Sequence, residues 1–141
     1  MQKFLEIAMD ELGVHETPGV KATERIVEYA KHTDYKAISD EVPWCSSFMC
    51  WVVDTAGYIS THSAAARSWL QWGVAKIIPT AGCIAVLERK TKDNPNSAHV
   101  TIFVSFTDDP IYFWGIGGNQ GDSVKRSKFP LRDVLGFRDA V

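Results

Sequence analysis

The chain has 141 residues, 45% of them apolar and 23% charged, with a formal charge of −2 at pH 7. That length holds one domain with its own core (1–141) and is too short for two of ordinary size, and the balance is that of a globular rather than a disordered or fibrous protein. Acids and bases are interspersed, without the basic stripe by which a nucleic-acid binder displaces counterions, so no nucleic-acid partner is expected.

The opening MQKFLEIAMDELG places Phe4, Leu5, Ala8, Met9 and Leu12 at helical spacing, with Gly13 as a stop. Glu6 and Asp10 interrupt its apolar residues, so it lacks the h-region of a secretory signal, and no run approaches the length of a membrane span. Cytoplasmic storage, no stable membrane association and a monomer are the expectations. Three cysteines cannot all pair, and a chain of this size does not need disulfides, which makes reduced thiols the default.

After the turn-like HETPG, Ile26, Val27, Tyr29 and Ala30 predict a second helix from Thr23 to about His32, followed by a polar, irregular stretch to Val42. Pro43 suits a first helical position, so a third helix is predicted from there to Ala56, with Gly57 stopping it and Phe48, Met49, Val52, Val53 and Ala56 as its buried stripe. SAAARSWLQWG predicts a further helix ending at Gly73, with Trp69 and Trp72 in the core. From Ile84 the pattern changes to short apolar runs, 84–87, 100–106 and 111–114, which read as strands divided by a loop (RKTKDNPNSA) and a tight turn (TDDP). Helices first and an antiparallel meander afterwards make an α+β arrangement. Lys125, Arg126, Lys128 and Arg132 form the one basic cluster, read as a solvated face, with attraction to an anionic wall or membrane as the other option.

A thiolate attacks where a thiol hardly does, and Cys45, in the first turn of the third helix, would meet free backbone N–H groups and the positive end of the helix dipole. The alternative is a small buried hydrophobe. Cys50 lies on another side of that helix and Cys83 opens a strand without a base nearby; both read as structural. Among the histidines, His15, His32 and His62 lie in polar or charged surroundings, whereas His99 stands at a strand start and becomes a general base if Cys45 faces it. A third group must fix the imidazole, and WGIGGNQGD offers Asn119, Gln120 and Asp122 past the next strand; Asn119 reaches His99 if the two strands are antiparallel neighbours. Trp44 either packs against the N-terminal helices or lines a substrate cleft, and Gln120 is a second substrate-binding candidate. The glycines do not complete a dinucleotide or phosphate-loop pattern, and no histidines or cysteines stand at metal-ligand spacing, so no metal or cofactor is expected.

The order Cys45, His99, Asn119 resembles the papain-like peptidoglycan hydrolases, the NlpC-like peptidases and the cysteine, histidine-dependent amidohydrolase/peptidase (CHAP) group. DEVPWCSSFMCWVVDTAGY, AHVTIFV, GGNQGDSV and VLGFR look like a small phage- and prophage-associated family within it. The resemblance implies a papain-like cysteine peptidase fold, with N-terminal helices packed on a small antiparallel sheet. It further implies Cys45 as nucleophile, His99 as general base and acid, Asn119 as orienting residue, and bacterial peptidoglycan as partner. Asp40 or Glu41 would assist from the preceding loop. Three positions depart from the pattern: Cys83 and Thr101 replace the usual aspartate and glycine, and Gly117 replaces a glutamate found in many CHAP members. The expected protein is a phage endolysin cleaving a stem-peptide amide, held in the host cytoplasm and acting in the periplasm or wall. Without an added wall-anchoring module, its expected target is Gram-negative. A secreted antibacterial amidase effector and a catalytically silent wall-binding or phage-structural module are the alternatives.

Overall fold

The structure is a computed structural model that describes residues 1–16, 24–34, 44–89 and 97–141. Three α-helices, α1 (Gln2–Met9), α2 (Glu24–Ala30) and α3 (Cys45–Thr55), precede a 3₁₀ helix, Ala66–Gln71. The strands are β1 (Val74–Lys76), β2 (Ile84–Glu88), β3 (Ala98–Phe106), β4 (Tyr112–Gly117), β5 (Lys125–Pro130) and β6 (Val134–Asp139). They form one six-stranded antiparallel sheet in the order β1-β6-β2-β3-β4-β5. The protein is therefore α+β with an antiparallel sheet. Among the described residues no helix is long and apolar enough to cross a membrane.

The sheet is buried on both faces, which accounts for its uninterrupted apolar runs. Ile84 and Val86 of β2, Val100 and Ile102 of β3 and Ile116 of β4 join the helices in the main core, with Phe4, Tyr29, Phe48, Met49, Val52 and Val53. The residues between them, Cys83, Ala85, Leu87 and Phe103, turn to a second cluster with Phe113, against which Phe129 and Phe137 pack. Successive strand residues point to opposite faces, so a run without alternation means two cores. The predicted stripe of α3 is fully inside, from Phe48 and Val52 at 0% exposure to Ala56 at 5%. Gly57 follows the helix at φ 92°, a left-handed conformation that needs no Cβ.

The helices also differ from expectation. α1 ends at Met9, and Met9 and Leu12 are about half exposed, so the apolar pattern outlasts the buried face by one turn. Pro43 lies outside the described residues, and α3 begins at Cys45 with Trp44 as its N-cap. The segment predicted as an α-helix before Gly73 is instead 3₁₀, with i to i+3 bonds such as Trp72 N–H to Trp69 O. Trp69 is wholly buried and Trp72 crosses it edge-on at 5.2 Å. Three strands go beyond those the sequence predicts: β1 is a three-residue edge whose Val74 and Ala75 are exposed, β5 is the other edge with basic exposed residues, and β6 carries Gly136 beside Leu70.

Glu11 ties the helical layer together. It accepts bonds from Arg25 and from the Tyr29 hydroxyl, and Arg25 also lies 4.8 Å over the Trp51 ring. Burial raises the Glu11 pKa, but these donors outweigh it and hold the carboxyl below its ordinary value.

Candidate active site

Cys45 is the first residue of α3, where backbone N–H groups have no acceptor one turn earlier; the first intrahelical bond is Phe48 N–H to Trp44 O. Two contacts fix this turn. The Ser46 hydroxyl donates to Ser63 O at 2.6 Å and accepts from the Trp69 indole at 3.0 Å. On the other side Gly118, just past β4, lies so close that a Cβ there would fall 2.7 Å from Phe48 Cβ and from Trp44 Cζ3. The end of β4 is thereby pressed against the first turn of α3.

His99 is the second residue of β3, 4% exposed, with its ring stacked on Phe129 at 5.4 Å. Its Nε2 lies 3.0 Å from Gln120 Oε1. The same oxygen accepts a bond from the Thr101 hydroxyl at 2.7 Å. The Gln120 amide nitrogen donates to Gly115 O at 3.2 Å and Lys125 O at 2.6 Å. Those carbonyls can only accept, which fixes the amide's orientation and puts its oxygen toward the imidazole. An amide oxygen has no proton to give, so in the neutral ring the proton belongs on Nε2 and the lone pair on Nδ1. Nδ1 is buried and has no hydrogen-bond partner. A buried polar atom without a partner calls for an explanation.

Cys45 supplies it. Burial raises the pKa of this thiol, yet the charge and hydrogen-bonding capacity of His99, a backbone hydrogen bond from Val100 and the charge of Arg89 outweigh burial and hold it below the ordinary thiol value. With Nε2 engaged by Gln120, Nδ1 is the ring nitrogen left without a partner. No bond of ordinary geometry is closed there, a common condition of catalytic pairs before substrate arrives. Cys50 and Cys83 differ. Both are fully buried, and burial raises their pKa values.

The expected orienting residue was Asn119, and here the structure differs: neither ring nitrogen of His99 bonds to it. Asn119 adopts a left-handed backbone, φ 58°, and turns the chain so that the next side chain, Gln120, folds back across β4. The fold-back needs two glycines. A Cβ on Gly117 would lie 2.5 Å from Gln120 Oε1, and one on Gly115 would lie 2.7 Å from Thr101 Oγ1. Gln120, expected to touch substrate, is 5% exposed and uses both amide ends internally. Trp44 packs against the helical layer, the first of the two expected options. It is 2% exposed, stacks on Tyr29 at 6.0 Å and donates its indole N–H to Glu16. Asp40 and Glu41 lie outside the described residues.

The remaining histidines stand apart from this arrangement. His32 bonds to Asp54 at 2.8 Å, His62 lies 3.7 Å from the same carboxylate, and His15 contacts Gly13 O at 3.1 Å. A cleft of about 320 Å³ opens beside His99, walled by Arg89, Asn119, Gln120, Ser127, Phe129 and Asp133 among others. Sequence reasoning missed Thr101, Arg89 and the paired glycines of β4. Alternate glycines on one strand face were the available signal, since they mark close approach by another group. Comparison of the chain with known protein families, with curated protein sequences and with solved structures yields no match.

Proposed function

We propose that the protein is a cysteine amidase or peptidase with Cys45 as nucleophile, His99 as general base and acid, and Gln120, in place of Asn119, as the positioning residue. The observation that carries this reading is the buried, unpartnered Nδ1 of an imidazole whose other nitrogen is held by a fixed amide oxygen, with a lowered-pKa thiol at a helix start as its neighbour. That is the order nucleophile, base, orienting group required for acyl transfer. The fold that goes with it is papain-like, helix-borne cysteine against strand-borne histidine.

In this mechanism Nδ1 takes the Cys45 thiol proton as sulfur bonds to the carbonyl carbon of the amide. The oxyanion forms against the backbone N–H groups of the first turn of α3. Collapse breaks the carbon–nitrogen bond, and Nδ1 returns the proton to the departing amine, leaving a thioester. Water then attacks the thioester carbon, giving its proton to Nδ1, and the acid product leaves as the thiol is restored. Gln120 Oε1 faces the Nε2–H throughout and stabilises the imidazolium form.

The substrate class rests on the likeness in sequence to peptidoglycan hydrolases of phages: a stem-peptide amide, cleaved by an endolysin that reaches the wall from the cytoplasm. The test is lysis of outer-membrane-permeabilised cells, followed as turbidity, before and after iodoacetamide and with Cys45→Ala. Both treatments should stop clearing. Clearing by Cys45→Ala at the wild-type rate would refute the mechanism, and release of unfragmented peptidoglycan by an active enzyme would refute the substrate.

A further inference from the structure

β5 shows two faces to two surroundings. Ser127 and Phe129 wall the cleft beside His99. Lys125, Arg126 and Lys128 are exposed along the same strand, and Arg132 is exposed just beyond it. Among the described residues none of the four forms an ion pair. Four of the chain's fifteen lysines and arginines fall on this edge, and without them the formal charge would be −6 rather than −2. The register sets Lys128 opposite Trp114 and Arg126 opposite Ile116. From there the Arg126 guanidinium lies 4.3 Å over the Trp114 ring and the Lys128 ammonium 5.7 Å from its centre.

Lysines on an edge strand also discourage unwanted strand pairing, and one or two suffice for that. They do not need to be stacked on an aromatic ring, which fixes charges that would otherwise swing freely in water. Same-face positions along a strand repeat about every 6.8 Å, a spacing suited to an extended chain carrying repeated charges. Asp133, next to Arg132 in the chain, lines the cleft and forms no ion pair with it.

We infer that the outer rim of β5, with Arg126, Lys128 and Arg132 beside Trp114, is a second contact surface that holds the carboxylate-bearing peptidoglycan strand while the neighbouring cleft cuts it. The inference rests on the peptidoglycan reading above. A lipid surface fits this rim less well, because Arg126 covers the indole that would otherwise serve as an apolar wedge. The contact is electrostatic and weakens with salt, the screening length falling from about 10 Å at 0.1 M to about 3 Å at 1 M.

The experiment uses the full chain carrying Cys45→Ala, so that binding is measured without turnover. It is sedimented with insoluble peptidoglycan at low and high salt, alongside the same protein bearing Arg126→Gln/Lys128→Gln or, as a charge control on the helical layer, Lys3→Gln/Lys31→Gln. Thermal melts confirm that all three fold. At low salt the rim variant should bind about tenfold more weakly than its parent, the control should bind as the parent does, and the gap should close at high salt. With Cys45 restored, the rim variant should still cleave a soluble stem-peptide fragment at the parental rate. Equal sedimentation of parent and rim variant, equal losses in rim and control variants, or a parent that does not sediment at all would overturn the inference. So would rim-dependent capture on phosphatidylglycerol vesicles with peptidoglycan binding unchanged. Because the binding protein has no nucleophile, a failed mechanism at Cys45 leaves this result readable.

Discussion

Replacing Gln120 by leucine keeps side-chain volume while removing four hydrogen bonds, two accepted from His99 and Thr101 and two donated to the Gly115 and Lys125 carbonyls. At 5% exposure, little water can replace them. Neutral bonds are worth about 1 kcal/mol each, so a loss of roughly 2–4 kcal/mol in folding stability is expected, within the margin of a domain that usually has 5–15. The kinetic effect comes from the charged state. When Nδ1 takes a proton, the bond from Nε2 becomes charge-assisted, worth about 1.5–3 kcal/mol. At about 1.36 kcal/mol per decade, its loss slows the reaction roughly 10- to 150-fold. Asn119→Gly keeps the left-handed backbone accessible and removes only a side chain that does not bond to His99, so it should cost no more than about threefold. Two assays separate the variants: release of fragments from a soluble stem peptide, and alkylation of Cys45 by iodoacetamide followed by mass spectrometry, which needs no substrate. An Asn119→Gly protein more impaired than Gln120→Leu in both would refute the assignment of Gln120.

Gly117→Ala drives a Cβ to within 2.5 Å of Gln120 Oε1 and should destabilise the protein by about 1–3 kcal/mol; combining it with Gln120→Ala, which removes the obstacle, should cost less than the two melting shifts added together, and strict additivity would contradict the contact. The lowered Cys45 pKa predicts a thiolate at lower pH than an ordinary cysteine offers. His99→Ala removes the main lowering influence and leaves burial, which raises the pKa, so the alkylation-rate profile should move to higher pH; no movement, or movement downward, would separate the two residues. Glu11, held below its ordinary value, contributes stability above the pKa it has in the unfolded chain and loses that contribution as pH falls through its folded value. Wild type should therefore exceed Glu11→Gln by about 1–2 kcal/mol in denaturant titrations near neutral pH, with the gap closing in acid, and a gap that widened in acid would reverse the sign of the argument.

The one-residue difference between Asn119 and Gln120 shows where sequence patterns stop carrying information. Strand parity predicts the direction of side chains only while the backbone stays extended, and β4 ends at Gly117. Asn119 at φ 58° then resets the direction, so counting forward from the strand gives no answer for residue 120. The cue lay upstream, in glycines two apart on β4, which make sense only if a side chain must lie across them. Apolar periodicity made α3, β2 and β3 legible because most of their buried positions are filled by apolar side chains. It concealed β5, an edge whose exposed face is basic, and it left Trp44 open between helix packing and a cleft wall, where Tyr29, Glu16 and Gly118 enclose its indole. The site's chemistry depends on a different kind of constraint. Two carbonyls fix an amide, the amide fixes a proton on one ring nitrogen, and the lone pair of the other is left without a partner. Glutamate at position 120 would meet those carbonyls with an acceptor instead of a donor. The choice of an amide there thus follows from the backbone behind it, Gly115 and Lys125, as much as from the histidine in front.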